Sequence, residues 1–125
     1  MTGSSPMEQR DQTNGSTDAD TANVVLVVRF RPKPGQREQF MKHLHELVAT
    51  MSKETAFVNT IIHDDIEQPA DIVLYETWAH ASREAWIAEE LPRPYRADYE
   101  RLAAQLLESR HVDWLIPIRS TNHGS

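Results

Sequence analysis

Residues 57–78 hold two apolar runs, Phe57–His63 and Ile72–Trp78, on either side of a polar stretch containing Pro69 and Asp71. β-Branched and aromatic runs around turn residues predict two antiparallel strands joined through 64–71. The second run carries one charge, Glu76, two residues before Trp78. Side chains alternate across a strand, so Glu76 and Trp78 point to the same face. A carboxylate and an indole on one face of a mostly buried strand suggest the wall of a pocket. The plainer alternative is an ion pair of Glu76 with a neighbour such as Arg29, with Trp78 in the core.

The rest of the chain parses around this pair. Val24–Phe30 is a strand apolar on both faces, as a central strand is. Pro32, Pro34 and Gly35 stop it. From Gln36, residues Phe40, Leu44, Leu47, Val48 and Met51 fall at helical spacing, which predicts an amphipathic helix to about Lys53. Ser82 can cap a short helix running through Glu90, with Glu84 in its first turn. Pro92 and Pro94 interrupt it, because proline lacks the backbone donor and clashes with the preceding turn. A second helical piece runs to about Ser109, with Tyr95, Tyr99, Leu102 and Leu106 on one stripe. Val112, Trp114, Ile116 and Ile118 alternate as a last strand, and Pro117 suits an edge or a terminus.

The order β-α-β-β-α-β is the split βαβ, ferredoxin-like arrangement of the α+β class. It predicts a four-stranded antiparallel sheet with helices on one face and the first and third strands central. The other face is apolar too, since Val24–Val28 has no polar alternation. A second copy of the chain is the simplest cover, so a homodimer is expected.

Composition excludes several functions. The 125 residues suit one domain, expected over 23–119. Residues 1–22 have no Val, Ile, Leu, Phe, Tyr or Trp and cannot bury enough surface to offset ordering entropy, so a disordered tail is expected there. Residues 120–125 read as a similar polar end. The net charge is −6, with no basic cluster interleaved with aromatics, which argues against nucleic acid. There is no cysteine, hence no disulfide, thiolate nucleophile or iron–sulfur cluster. No apolar run is long enough to span a membrane. With no signal-peptide apolar region, a cytoplasmic location is expected.

Several motifs together resemble the antibiotic biosynthesis monooxygenase family of the dimeric α/β-barrel superfamily. They are Arg29-Phe-Arg-Pro-Lys-Pro-Gly35, Phe57 opening the second strand, His63-x-Asp65, Leu74-Tyr-Glu-Thr-Trp78, and Arg93-Pro-Tyr-Arg-Ala-Asp-Tyr99. The similarity spans about residues 23–118. It implies a dimeric α/β barrel that oxidises a quinol or phenolic aromatic with molecular oxygen and no cofactor. The protein's part in such chemistry is a dry pocket, a proton acceptor, and donors for developing oxyanion charge. The absence of a glycine-rich dinucleotide motif agrees with this. Haem-degrading relatives take a ligand histidine from the helical region, and Ala81–Arg110 contains none. Their first-strand asparagine falls on Val28. The alternative is a non-catalytic dimer of the same fold that binds a small ligand or stabilises an assembly.

The candidate residues follow. Glu76 or His63 would be the base; the imidazole has an ordinary pKa near ~6.5. His63 also sits at a strand end, where a solvated histidine is common. Trp78 would wall the pocket, lined further by Asn59, Trp86, Tyr95 and Tyr99. Asn59 could equally face solvent or a dimer contact, because Ile61 and Ile62 make both faces of its strand apolar. Tyr95 and Tyr99 share a stripe with Leu102, so core packing competes with pocket lining. His43 and His45 are two apart on a helix and project to different sides, so no metal site is expected.

Overall fold

The computed structural model describes residues 23–124. The expected tail over 1–22 lies outside them. The elements are β1 (Val24–Pro32), α1 (Arg37–Met51), β2 (Phe57–Asp64), β3 (Ile72–Trp78), α2 (Arg83–Glu90), α3 (Pro94–Leu106) and β4 (Leu107–Leu115). All ladders are antiparallel and the sheet order is β2-β3-β1-β4, so the two most apolar strands are central. This is the ferredoxin-like α+β fold.

Local chemistry explains the breaks. After β1, the Gln36 amide donates to the Lys33 carbonyl at 2.9 Å, with Gly35 at φ 80 between them. This is a type II turn, with proline at its second position and glycine at its left-handed third. Ser82 caps α2 as expected, its hydroxyl accepting from the Ala85 amide at 3.0 Å. Pro94 occupies the first turn of α3, where its missing N–H costs nothing.

The helices cover one sheet face. Val24, Leu26, Val28 and Phe30 of β1 meet Phe40, Leu44, Leu47 and Met51 of α1 and Ala103 and Leu106 of α3. Phe30 and Phe40 have ring centroids 4.9 Å apart. No helix of the described residues covers the opposite face. There Tyr75 is 37% exposed, Ile61 48% and Leu115 47%, beside Val27 and Val73.

Two expectations at the C-terminal end differ from the structure. α3 stops at Leu106, not near Ser109, and β4 starts at once, with Leu107 already extended. Pairing of Leu107, Ser109 and Arg110 with Pro32, Arg31 and Phe30 overrides the helical tendency of Leu107 and Glu108. A bulge at Arg31/Pro32 accommodates the corner. At the other end β4 stops at Leu115, opposite Val25. Ile116 and Ile118 alternate in sequence without forming strand, and Ile118 is 94% exposed.

Candidate functional site

Register decides which side chains meet. Directly opposed residues of an antiparallel pair lie on one face. Glu76 opposes Leu26 on β1 and Thr60 on β2, so it faces the helices. Asn59 opposes Thr77, and His63 opposes Val73, so both lie on the helix-free face. A register shift between Phe57 and Asn59 breaks the alternation of β2, leaving Ile62 inward and Ile61 outward. The His63 Nδ1–H donates to the Val73 carbonyl at 3.1 Å. His63 and Glu76 are therefore on opposite sides of the sheet.

A cavity of about 190 Å³ lies between the helix-facing side of the sheet and α2 and α3. Leu26, Val28 and Leu74 form its floor, with Glu76 at one end; Trp86 and Leu91 come from α2 and its exit, Arg96 and Tyr99 from α3, and Arg110, Val112 and Trp114 from β4. Of the expected site residues, Glu76, Trp86 and Tyr99 meet here. Trp78 stands behind them, fully buried, edge-on to Phe57 at 5.3 Å and to Trp86 at 6.1 Å. Tyr95 lies in a separate groove between α1 and α3.

Among the described residues, no guanidinium lies within ion-pair distance of Glu76. Its Oε1 accepts from the Trp78 indole N–H at 2.8 Å. Arg29 instead holds Asp65 at 2.6 Å and Asp71 at 3.0 Å, and Arg31 holds Asp71 at 2.6 Å. The alternative Glu76–Arg29 pair is thus replaced by an arginine–aspartate cluster at the far end of β1. Burial pushes the Glu76 carboxyl above its ordinary value of 4.5, opposed by the Trp78 hydrogen bond and the Arg96 charge. Asp71 moves the other way, held down mainly by Arg31, and Asp65 is held down mainly by Arg29.

The donors around the cavity are poorly satisfied. Among the described residues, the buried Trp86 indole N–H and Tyr99 hydroxyl have no hydrogen-bond partner. Burial also raises the Tyr99 phenol well above its ordinary 10.0, so it is a hydroxyl donor at neutral pH. Arg96 is buried, with its guanidinium 4.8 Å from the Trp86 ring centroid. It donates to the Glu90 carbonyl at 2.9 Å and contacts the Met51 sulfur at 3.3 Å. Among the described residues it makes no ion pair. Buried polar groups are normally paired, so these donors are exceptions to the usual rule. Behind it, fully buried Glu90 accepts from His80 Nε2 at 2.8 Å and Arg93 Nε at 3.3 Å.

Arg96 and Arg110 escaped the sequence reading. Arg96 lies three residues before Tyr99 on the same helical face, so a charge on an apolar stripe was its one available signal. Arg110 had none, because its segment reads as the end of a helix. Among the described residues, no three His, Asp or Glu side chains converge as a metal site would require. No helix among them is long and apolar enough to cross a membrane.

The Glu76 carboxyl yields a pH prediction. A carboxyl raised in the folded state binds more protons there than when unfolded, so it costs stability as pH rises from about 4.5 toward its folded value. Glu76→Gln keeps an acceptor for the Trp78 N–H and removes that cost. Thermal melts between about pH 5 and 8 are expected to show the variant gaining on the wild type as pH rises. Parallel curves would mean that Glu76 titrates normally. Lower pH is avoided because Asp71 and Asp65 contribute stability that is lost as pH falls through their lowered values.

Comparison with known proteins agrees with the fold. The structure is similar to Rv0793 from Mycobacterium tuberculosis, with a TM-score of 0.69 at 22% identity over 80% of this chain and 99% of that one. A conserved protein from Methanosarcina mazei gives a TM-score of 0.71 at 14% identity, over 80% and 97% of the two chains. SnoaB from Streptomyces nogalater, a cofactor-independent oxygenase, gives 0.66 at 13% identity, over 83% and 99%. No curated protein sequence matches the chain. The antibiotic biosynthesis monooxygenase family model matches residues 23–90. That match covers more than half of the 125 residues, and the chain belongs to the antibiotic biosynthesis monooxygenase family.

Proposed function

We propose that the protein is a cofactor-independent monooxygenase that oxidises a small quinol or phenol with molecular oxygen in the cavity between the sheet and α3. The observation that carries this reading is the set of unpartnered donors, Trp86 N–H and Tyr99 O–H, beside the unpaired Arg96 and the buried Glu76. Glu76, whose basicity is raised by burial, accepts the phenolic proton. Arg96, Trp86 and Tyr99 hold the resulting oxyanion. The phenolate gives one electron to oxygen, the phenoxyl radical and superoxide combine at a ring carbon to form a carbon–oxygen bond, and the peroxide anion takes back the proton held by Glu76. The peroxide then loses water, leaving a quinone carbonyl. A phenol and O2 thus become a quinone and H2O. The cofactor-independent oxygenase activity of the structurally similar SnoaB supports the reading. His63, on the other sheet face, has no part in it.

Size narrows the substrate. An apolar cavity of ~150 Å³ holds benzene, so about 190 Å³ fits a single ring with substituents. Oxygen uptake by the metal-free, flavin-free protein on single-ring quinols and phenols is the test. Uptake above the spontaneous rate supports the enzyme. Binding of the same compounds without uptake would favour the non-catalytic binder.

The helix-free face, where Tyr75, Ile61 and Leu115 are partly exposed among polar neighbours such as Arg29, His111 and Asp113, supports a homodimer packed sheet to sheet. Light scattering at micromolar concentration is expected to give twice the 14.3 kDa chain mass. A stable monomer would refute the dimer.

A further inference from the structure

We propose that the cavity selects a ligand carrying a carboxylate, and that Arg110 is the residue that selects it. The inference rests on the reading of this cavity as the ligand site. On the helix-facing side of the sheet, Glu76 opposes Leu26, and Arg110 opposes Phe30 four residues further along β1. β3 and β4 flank β1 on opposite sides. Two strand spacings across and four residues along place the backbones of Glu76 and Arg110 about 16 Å apart. Apolar Leu26, Val28 and Leu74 lie between them. The cavity is therefore elongated, with an acidic group at one end and a guanidinium at the other.

Its lining has more donors than acceptors. Among the described residues, the Trp86 N–H and the Tyr99 O–H donate to no acceptor, and Arg96 makes no ion pair. Arg110 Nη1 and Nη2 donate to Glu100 at 3.0 and 2.8 Å, which uses two of five N–H donors. Glu100 stands at the rim, its side chain 45% exposed, and can turn into water. The Tyr99 hydroxyl is close enough to Arg110 to feel its charge. The guanidinium fork matches a carboxylate in a two-bond geometry. Glu100 fills that fork in the free protein, and the ligand's carboxylate takes its place. The ligand is then a single-ring phenol with an acidic side chain. Its ring lies over the apolar floor and its phenolic oxygen points toward Trp86 and Glu76.

The test compares 4-hydroxyphenylacetate with 4-hydroxyphenylacetamide by titration calorimetry, since the two share a shape and differ in charge. The acid is expected to bind at least about tenfold tighter, as charge-assisted pairs exceed neutral ones. Arg110→Gln should bring the ratio to about one by weakening the acid alone, and Arg110→Lys should keep part of the preference. Glu100→Gln should tighten the acid severalfold and leave the amide unchanged, because it removes the competing carboxylate. Melting curves verify that each variant is folded. Equal wild-type binding of acid and amide overturns the inference. So does an Arg110→Gln variant that weakens both alike, a Glu100→Gln variant that weakens the acid, or no binding of either compound at millimolar concentration. Oxygen uptake on neutral hydroquinone separates the two ideas. Uptake without acid preference leaves the monooxygenase reading standing, and acid preference without uptake on any phenol leaves only the ligand class.

Discussion

Glu90→Ala is expected to lower the melting temperature by more than ~12 °C, corresponding to about 3 kcal/mol at ~4 °C per kcal/mol for a domain of this size. Glu90 is fully buried and accepts from His80 at 2.8 Å and Arg93 at 3.3 Å. Removing the carboxylate strips partners from two cationic or potentially cationic groups and leaves a void at the end of α2. The loss is partly relieved, because Arg93 also reaches Glu54 at 3.3 Å. Glu90→Gln should cost less, since the amide keeps an acceptor and most of the volume. A Glu90→Ala melt within a few degrees of wild type would mean that the buried pair contributes little.

Trp78→Ala is expected to cost about 3–5 kcal/mol, the range for a fully buried aromatic. Trp78 packs edge-on to Phe57 and Trp86 and stacks near His80 with centroids 6.4 Å apart. Trp78→Phe should keep most of that burial but leave Glu76 without its N–H donor, at a cost of ~1–3 kcal/mol. Because Trp78 stands behind the cavity, Trp78→Phe should affect ligand binding less than Trp86→Phe, which removes an unpartnered donor inside it. Calorimetric titration of both variants with one phenol decides this. A larger loss for Trp78→Phe would return Trp78 to the pocket wall.

Periodicity made the fold legible. Long apolar runs such as Val24–Phe30 specify a strand, but Pro32, expected to stop it, is its last residue and pairs with Leu107. The capping serine at position 82 and the proline opening α3 marked the helix starts. The α3–β4 junction was not legible, because no breaker separates Leu106 from Leu107 and the strand is imposed by pairing with β1. The site was half legible. Strand parity put Glu76 on a buried face, but nothing local identifies Arg96 as its nearest buried cation. The shift in β2 at Val58 hid the fact that Asn59 and His63 face away from the cavity. A side chain's neighbours across a sheet depend on register, and one inserted residue reverses the answer.

A crystal structure with a bound single-ring quinone or phenol tests the central claim most directly. The ligand is predicted to lie on the helix-facing side of the sheet, over Leu26 and Leu74, with an oxygen within hydrogen-bond distance of the Trp86 N–H and the Tyr99 hydroxyl. A ligand bound on the opposite face beside Asn59 and His63, with this cavity empty, would contradict the account.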